Sequence, residues 1–208
     1  MRILVCATLL AVAIVAASAQ TIAQQKDNKA SRREPSAAEM QEMMKKWMEV
    51  ASPGPAHRFL DQFAGKWDTV TRVWMSRDAK ASEGKGTAET RWVMDGRYLI
   101  EEASGQMMGM PHNSLLTIGY DNFKKKYVIS YIDNMGTAIY TGEGDLDEAT
   151  KVMTLYGKMD EPMTGEKDKT VRYVIRVTSK DKYIFEAYDL IGTPHEFKGV
   201  EVTYTRRQ

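Results

Sequence analysis

From Trp67 onward apolar and polar positions alternate with a period of two. Val171, Tyr173, Ile175 and Val177 alternate with Arg172, Arg176 and Thr178, and Val200, Val202 and Tyr204 with Glu201, Thr203 and Thr205. In a strand such positions lie on opposite faces, so one face meets a core and the other water. About ten segments carry the pattern between turn-forming residues: 67–75, 86–94, 97–106, 113–120, 126–133, 137–142, 152–158, 171–179, 183–190 and 197–205. Asp95-Gly96 is the strongest hairpin signal, and the connections at 121–125, 134–136, 145–150 and 180–182 are of hairpin length. Short turns pair consecutive strands as neighbours. A meander of that size with no interior proline would expose two long edges unless it closed, so the pattern predicts an all-β chain: a single closed antiparallel β-barrel of about ten strands.

Upstream the period is helical. Pro35 precedes Ser36, Glu39 stands at capping-box distance, and Met40, Met43, Met44, Trp47 and Met48 recur on one side, predicting an amphipathic helix over 36–52. Its methionine stripe is read as packing surface, with a soft-metal or partner-binding face as the alternative. Pro53, Gly54 and Pro55 end it, and a second short helix with Phe59, Leu60 and Phe63 on one side leads into the barrel domain, 55–208.

Residues 1–19 read as a secretory signal: Arg2, an apolar run from Ile3 to Val15, and a small-residue cleavage site at Ala17-Ser18-Ala19. Residues 20–35 are polar and charged and predict a disordered leader. The chain is thus expected to be periplasmic or secreted, with no membrane span after signal removal. Cys6, the sole cysteine, falls inside the signal, so a thiol nucleophile and a disulfide are both excluded from the processed chain. Removing Arg2 from 29 basic residues leaves 28 against 28 acidic ones, which advertises no nucleic-acid partner.

The barrel segment also resembles a known family, the bacterial proteins grouped as domain of unknown function 1579, related in fold to the calycins (lipocalins, fatty-acid-binding proteins and nitrobindins). The residues that carry the resemblance are His57, Leu60, Gly65, Trp67, Trp92, Gly96 and Arg97, then Gly109, Pro111, Gly119-Tyr120-Asp121, Tyr127, Asp133, Gly136-Thr137, Gly144 and Tyr204-Thr205-Arg206. The resemblance implies a lipocalin-like barrel in an exported protein. It further implies a structural plug at the closed end, with Arg206 over the Trp67 indole, and a capping or hydrogen-bonding role for His57 at the barrel base.

Candidate chemistry is sparse. No Gly-x-Ser-x-Gly elbow occurs, Gly84-Lys85-Gly86 and Gly142-Glu143-Gly144 are read as leading between strands with no helix to receive phosphate, and Asp145-Leu146-Asp147 lacks the later calcium-loop residues. Thioethers and an imidazole at Met107, Met110 and His112 suit a soft ion such as Cu(I). His195 is a late histidine that follows the turn signal Gly192-Thr193-Pro194, so the haem ligand of nitrobindin-like barrels is not carried over to it. No cofactor is expected; haem and copper are the alternatives. Inward phenols would give an apolar wall with polar tips, so Tyr131, Tyr140, Tyr156, Tyr173 and Tyr204, with Trp92 and Asp133, are the candidate ligand-binding residues.

Three functions follow: a binding protein for a small apolar or amphipathic molecule, an isomerase- or cyclase-type enzyme using a buried acid such as Asp133 or Glu101 with tyrosines, and a partner-binding module using the Met-rich helix. A cavity with a carboxylate touching tyrosine favours the enzyme, a cavity without one favours carriage, and a filled barrel leaves the partner role.

Overall fold

The computed structural model describes residues 33–208; the expected signal at 1–19 and the leader as far as residue 32 lie outside the described residues. The chain divides into two units at Glu49/Val50. Most of helix α1, Ala37–Ala51, belongs to the first. Its start is the expected reciprocal cap: the Ser36 N–H donates to Glu39 Oε2 at 2.7 Å and the Glu39 N–H to Ser36 Oγ at 3.3 Å. No residue of α1 is buried. The methionine stripe expected to pack is therefore exposed, because helical spacing of apolar groups shows which face would be buried and not that a partner covers it.

In the second unit helix α2, Pro55–Phe59, continues as a 3-10 turn, Leu60–Phe63. His57 is buried, and its Nδ1 accepts the Gly54 N–H at 3.0 Å, so the imidazole satisfies the backbone donor at the start of the helix. Ten strands follow in meander order: β1 Gly65–Val73, β2 Ser82–Val93, β3 Tyr98–Met107, β4 Met110–Asp121, β5 Lys126–Asp133, β6 Tyr140–Asp147, β7 Val152–Glu161, β8 Glu166–Ser179, β9 Lys182–Asp189 and β10 Phe197–Arg206. Every neighbour is antiparallel, and β1 pairs with β10, so the sheet closes. The seam runs from Trp67 opposite Arg206 to Val73 opposite Val200, and an Arg72–Glu201 ion pair of 3.0 Å crosses it on the outer face. Among the described residues no helix is long and apolar enough to cross a membrane.

Two segments differ from the sequence expectation for one physical reason. Gly84-Lys85-Gly86 lies within β2 and Gly142-Glu143-Gly144 within β6, not between strands. Gly84, Gly86 and Gly105 on β2–β3, and Gly144 and Gly157 on β6–β7, sit where a Cβ would run into the backbone of the neighbouring strand, with Gln106 O at Gly84, Thr154 O at Gly144 and Thr141 O at Gly157, whereas a Cβ at Gly142 would press on the Tyr173 ring and the Ile129 side chain. The five that meet backbone are the corners at which a sheet bends sharply enough to close, and only a residue without a side chain fits there.

One end of the barrel is solid. Trp67, Leu60, Leu99, Met153 and Leu155 are its largest fully buried side chains. The Trp67 indole N–H donates to Phe63 O at 2.9 Å, and the Tyr127 hydroxyl to Ala56 O at 3.1 Å, so the two short helices are hydrogen-bonded to the barrel they cap. Arg206 lies over the Trp67 ring, its Cζ 4.1 Å from the ring centroid, and donates to Ala64 O at 2.8 Å and Gln62 O at 2.7 Å. That guanidinium joins the last strand to the capping segment and the first strand. Arg206→Ala is expected to lower stability in urea by about 2–3 kcal/mol, summing two lost hydrogen bonds and a shielded cation–π contact.

Candidate functional site

The other end is hollow. A cavity of about 240 Å3 lies between the strand halves nearest the β1–β2, β3–β4, β5–β6 and β9–β10 connections, above the solid core. The alternation in each strand delivers one residue in two to it: Glu101, Ala103 and Gly105 from β3, Ser114 and Leu116 from β4, Ile129, Tyr131 and Asp133 from β5, and Val200, Val202 and Tyr204 from β10. The walls are unequal. Gly86 pairs with Gly105 in register, and with Ala103 they leave nearly bare backbone on the β2–β3 side. Aromatic rings stand on other strands: Tyr173 and Phe185 are stacked at 5.9 Å with 25° between planes, and Tyr131 and Tyr140 are 6.1 Å apart.

Two hydrogen-bonded polar clusters stand out in this lining, which also carries Thr69, Thr71, Lys85, Ser104, Gln106 and Ser114. At the deep end Glu101 is only 6% exposed; Oε1 is 2.9 Å from the Tyr204 hydroxyl, and Oε2 lies 3.2 Å from the Tyr183 hydroxyl and 3.3 Å from Thr90 Oγ1. Burial pushes the Glu101 carboxyl above its ordinary 4.5, and the three hydroxyls oppose but do not cancel that push. Burial, and then Glu101 itself, hold the Tyr183 and Tyr204 phenols well above their ordinary value. Nearer the mouth, His112 Nε2 is 3.0 Å from the Tyr131 hydroxyl and 3.8 Å from Asp133 Oδ2. Burial and then the Asp133 carboxylate raise the Tyr131 phenol, and the same two causes raise Tyr140.

An acid whose folded pKa lies above its unfolded value binds more protons in the native state between the two, so stability is full below 4.5 and falls as pH rises toward the folded pKa. Glu101→Gln mimics the protonated acid and is expected to flatten that fall. Melting temperatures of wild type and variant, compared from about pH 4 to about pH 9, should differ progressively in the variant's favour as pH rises.

Of the candidate ligand-binding residues, Tyr131, Asp133, Tyr140, Tyr173 and Tyr204 line the cavity. Tyr156 does not: Met153 and Leu155 take the inward phase of β7, so its ring faces outward and is 49% exposed. Trp92 is also corrected. Its strand parity is inward, but it lies in the closed half, where its indole N–H donates to Asp61 Oδ1 at 2.9 Å. Glu101, the candidate buried acid of the enzyme reading, also lines the cavity, and Leu116, Met159, Phe185 and Val202 are lining residues outside the candidate ligand-binding set.

The loop expected around Met107 to His112 is a tight hairpin, with Met108 (φ 53°) and Gly109 (φ 78°) as its two turn residues. Met107 therefore faces Met110, and His112 comes onto the cavity wall, where Tyr131 engages its Nε2. Met110 is 46% exposed and off the cavity lining. His195 is exposed in the β9–β10 connection and is not part of the wall.

Comparison with known proteins bears on the fold. Among solved structures the chain is similar to Rv2717c from M. tuberculosis, at 14% identity and a TM-score of 0.55, over 76% of this chain and 100% of that one. It is also similar to a redesigned β-barrel at 12% identity, over 73% of this chain and 96% of that one, with a TM-score of 0.37. At such identity the likeness to Rv2717c shows a shared fold alone. No curated protein matches the chain. Residues 52–206, which span the capping helices and all ten strands, match the family model of a protein of unknown function, DUF1579. The chain belongs to the DUF1579 family.

Proposed function

We propose that the protein binds a small, largely apolar molecule inside the barrel, in the periplasm or outside the cell. The observation that carries this reading is the 240 Å3 cavity, whose wall is largely apolar and aromatic, with polar clusters around Glu101 and around His112 and Asp133 at separate depths and further polar residues such as Thr69, Lys85 and Gln106. Ligand sites have this composition: mostly apolar, with few polar groups that orient the occupant. Export is supported by the signal-like residues 1–19. Native mass spectrometry of the protein purified from its own host tests the reading. A retained small-molecule adduct is expected, and a bare polypeptide mass that accepts no small aromatic molecule contradicts it.

A second reading, catalysis, is the one that a carboxylate touching tyrosine inside the cavity favours, and that contact is present. The contact of Glu101 with Tyr204 and Tyr183 is what an enzyme that polarises a carbonyl needs, and His112 beside Asp133 offers a base at the mouth. Deuterium exchange into the methyl group of acetophenone, accelerated by the protein, would support catalysis; a background rate would leave binding alone.

A further inference from the structure

If the cavity binds a small molecule, as proposed above, the charges at its mouth narrow the class of occupant. Asp133 ends β5 on the cavity wall, its side chain 13% exposed. Oδ1 accepts the Met135 N–H at 2.9 Å. Oδ2 has one ion-pair partner among the described residues, His112, whose Nε2 stands 3.8 Å away and already meets the Tyr131 hydroxyl at 3.0 Å. Neither nearby lysine answers this carboxylate. Lys85 pairs with Val70, whose neighbours Thr69 and Thr71 take the inward phase, so its exposed side chain is on the outer face. Lys169 stands opposite Met159 and is buried, but it pairs with Asp189 at 2.9 Å and Glu161 at 3.5 Å. Asp133 is left as a largely buried carboxylate that no lysine or arginine neutralises among the described residues, a cost that a cation in the cavity would offset.

Two phenol rings stand beside it. Tyr131 precedes Asp133 by two residues on the same face of β5, and Tyr140 pairs with Tyr131 across β5–β6. Their ring centroids are 6.1 Å apart, so one cation can lie within the ~6 Å of both at which a ring quadrupole attracts positive charge. We infer that Asp133, Tyr131 and Tyr140 form an ammonium site at the mouth, and that the occupant is a one- or two-ring arylalkylamine whose rings fill the apolar interior. The ring count follows from the volume: 240 Å3 exceeds the ~150 Å3 that holds a benzene and falls short of the ~300 Å3 at which drug-sized pockets begin. The flat shape follows from bare backbone at Gly86 and Gly105 and stacked rings at Tyr173 and Phe185. Glu101, at the deep end, brings no positive charge in either protonation state and takes no part in the assignment.

Calorimetric titration of the full chain with three naphthalenes tests this: 1-(2-naphthyl)ethylamine as the cation, 2-acetylnaphthalene as its neutral counterpart on the same carbon skeleton, and 2-naphthoate as the anion. The amine is expected to bind about tenfold to a hundredfold more tightly than the ketone, and the naphthoate more weakly than either. Asp133→Asn, whose amide oxygen still accepts the Met135 N–H, is expected to bring the amine level with the ketone. His112→Gln, which removes the one basic neighbour and keeps a hydrogen-bond partner for Tyr131, is expected to keep the preference for the amine. In the unaltered protein, NOEs should run from the methine proton beside the amine nitrogen to the rings of Tyr131 and Tyr140. Equal affinities for amine and ketone, tighter binding of the naphthoate, or an amine preference that survives Asp133→Asn would overturn the inference and leave the cavity reading standing. Failure of all three compounds to bind would overturn both. The ranking of the three ligands and the NOEs are read on the unaltered protein and decide the matter even if a variant does not fold.

Discussion

Gly144→Val is expected to unfold the barrel or to destabilise it by about 3 kcal/mol or more. A Cβ at this position meets Thr154 O and sits 2.7 Å from Leu155 Cα. Both are backbone of β7, which cannot swing aside as a flexible side chain would. Relief requires opening the β6–β7 ladder, and with it the corner at which the sheet turns. Gly136→Val is the matched control: its Cβ meets nothing within 4 Å, and a change within about 0.5 kcal/mol is expected. Urea denaturation of both variants checks the pair. If Gly144→Val were as mild as Gly136→Val, the corner role of these glycines would be wrong.

The second large effect is on binding. Ala103→Trp places an indole in the cavity from a wall position flanked by Ala88 and Ser114 in register. Filling a void costs little in stability, because the new ring replaces missing contacts instead of displacing packed ones. A loss of affinity for any cavity ligand of at least about a hundredfold is expected, with stability within about 1 kcal/mol of wild type. Titration with 2-acetylnaphthalene checks it. Undiminished affinity would mean that the ligand binds elsewhere.

Much of this architecture was legible in the chain. Period-two alternation located the strands and their inward phase, and the hairpin-length turns implied the meander and its closure. Where reading failed, local and tertiary demands on one residue type diverged. Gly142 and Gly144 lie beside Asp145 and Asp147, a composition that signals a turn, yet both stand inside a strand, where Gly144 lets the backbone of β7 approach at the bend. Met108 hid a two-residue hairpin because methionine rarely takes the left-handed conformation that Asn or Asp announces there. Depth was the other gap. Alternation tells which way Trp92 points but not how far along the axis it sits; that depends on strand stagger, which appears only once the register of all ten strands is known. Tyr156 was decidable from its own strand, since Met153 and Leu155 set the phase against it. Glu101 carried a signal of the opposite kind, a charged residue in the apolar phase between Leu99 and Ala103.

Uptake of a small molecule by the hollow half of the barrel can be observed directly. The most direct measurement is a methyl NMR titration with 2-acetylnaphthalene, using labelled Ile, Leu and Val. Intermolecular NOEs to Leu116, Ile129 and Val202, with none to Leu60 or Leu99 of the solid end, are the predicted result. NOEs confined to outward groups such as Ile132 or Leu190, or none at saturating ligand, would contradict it.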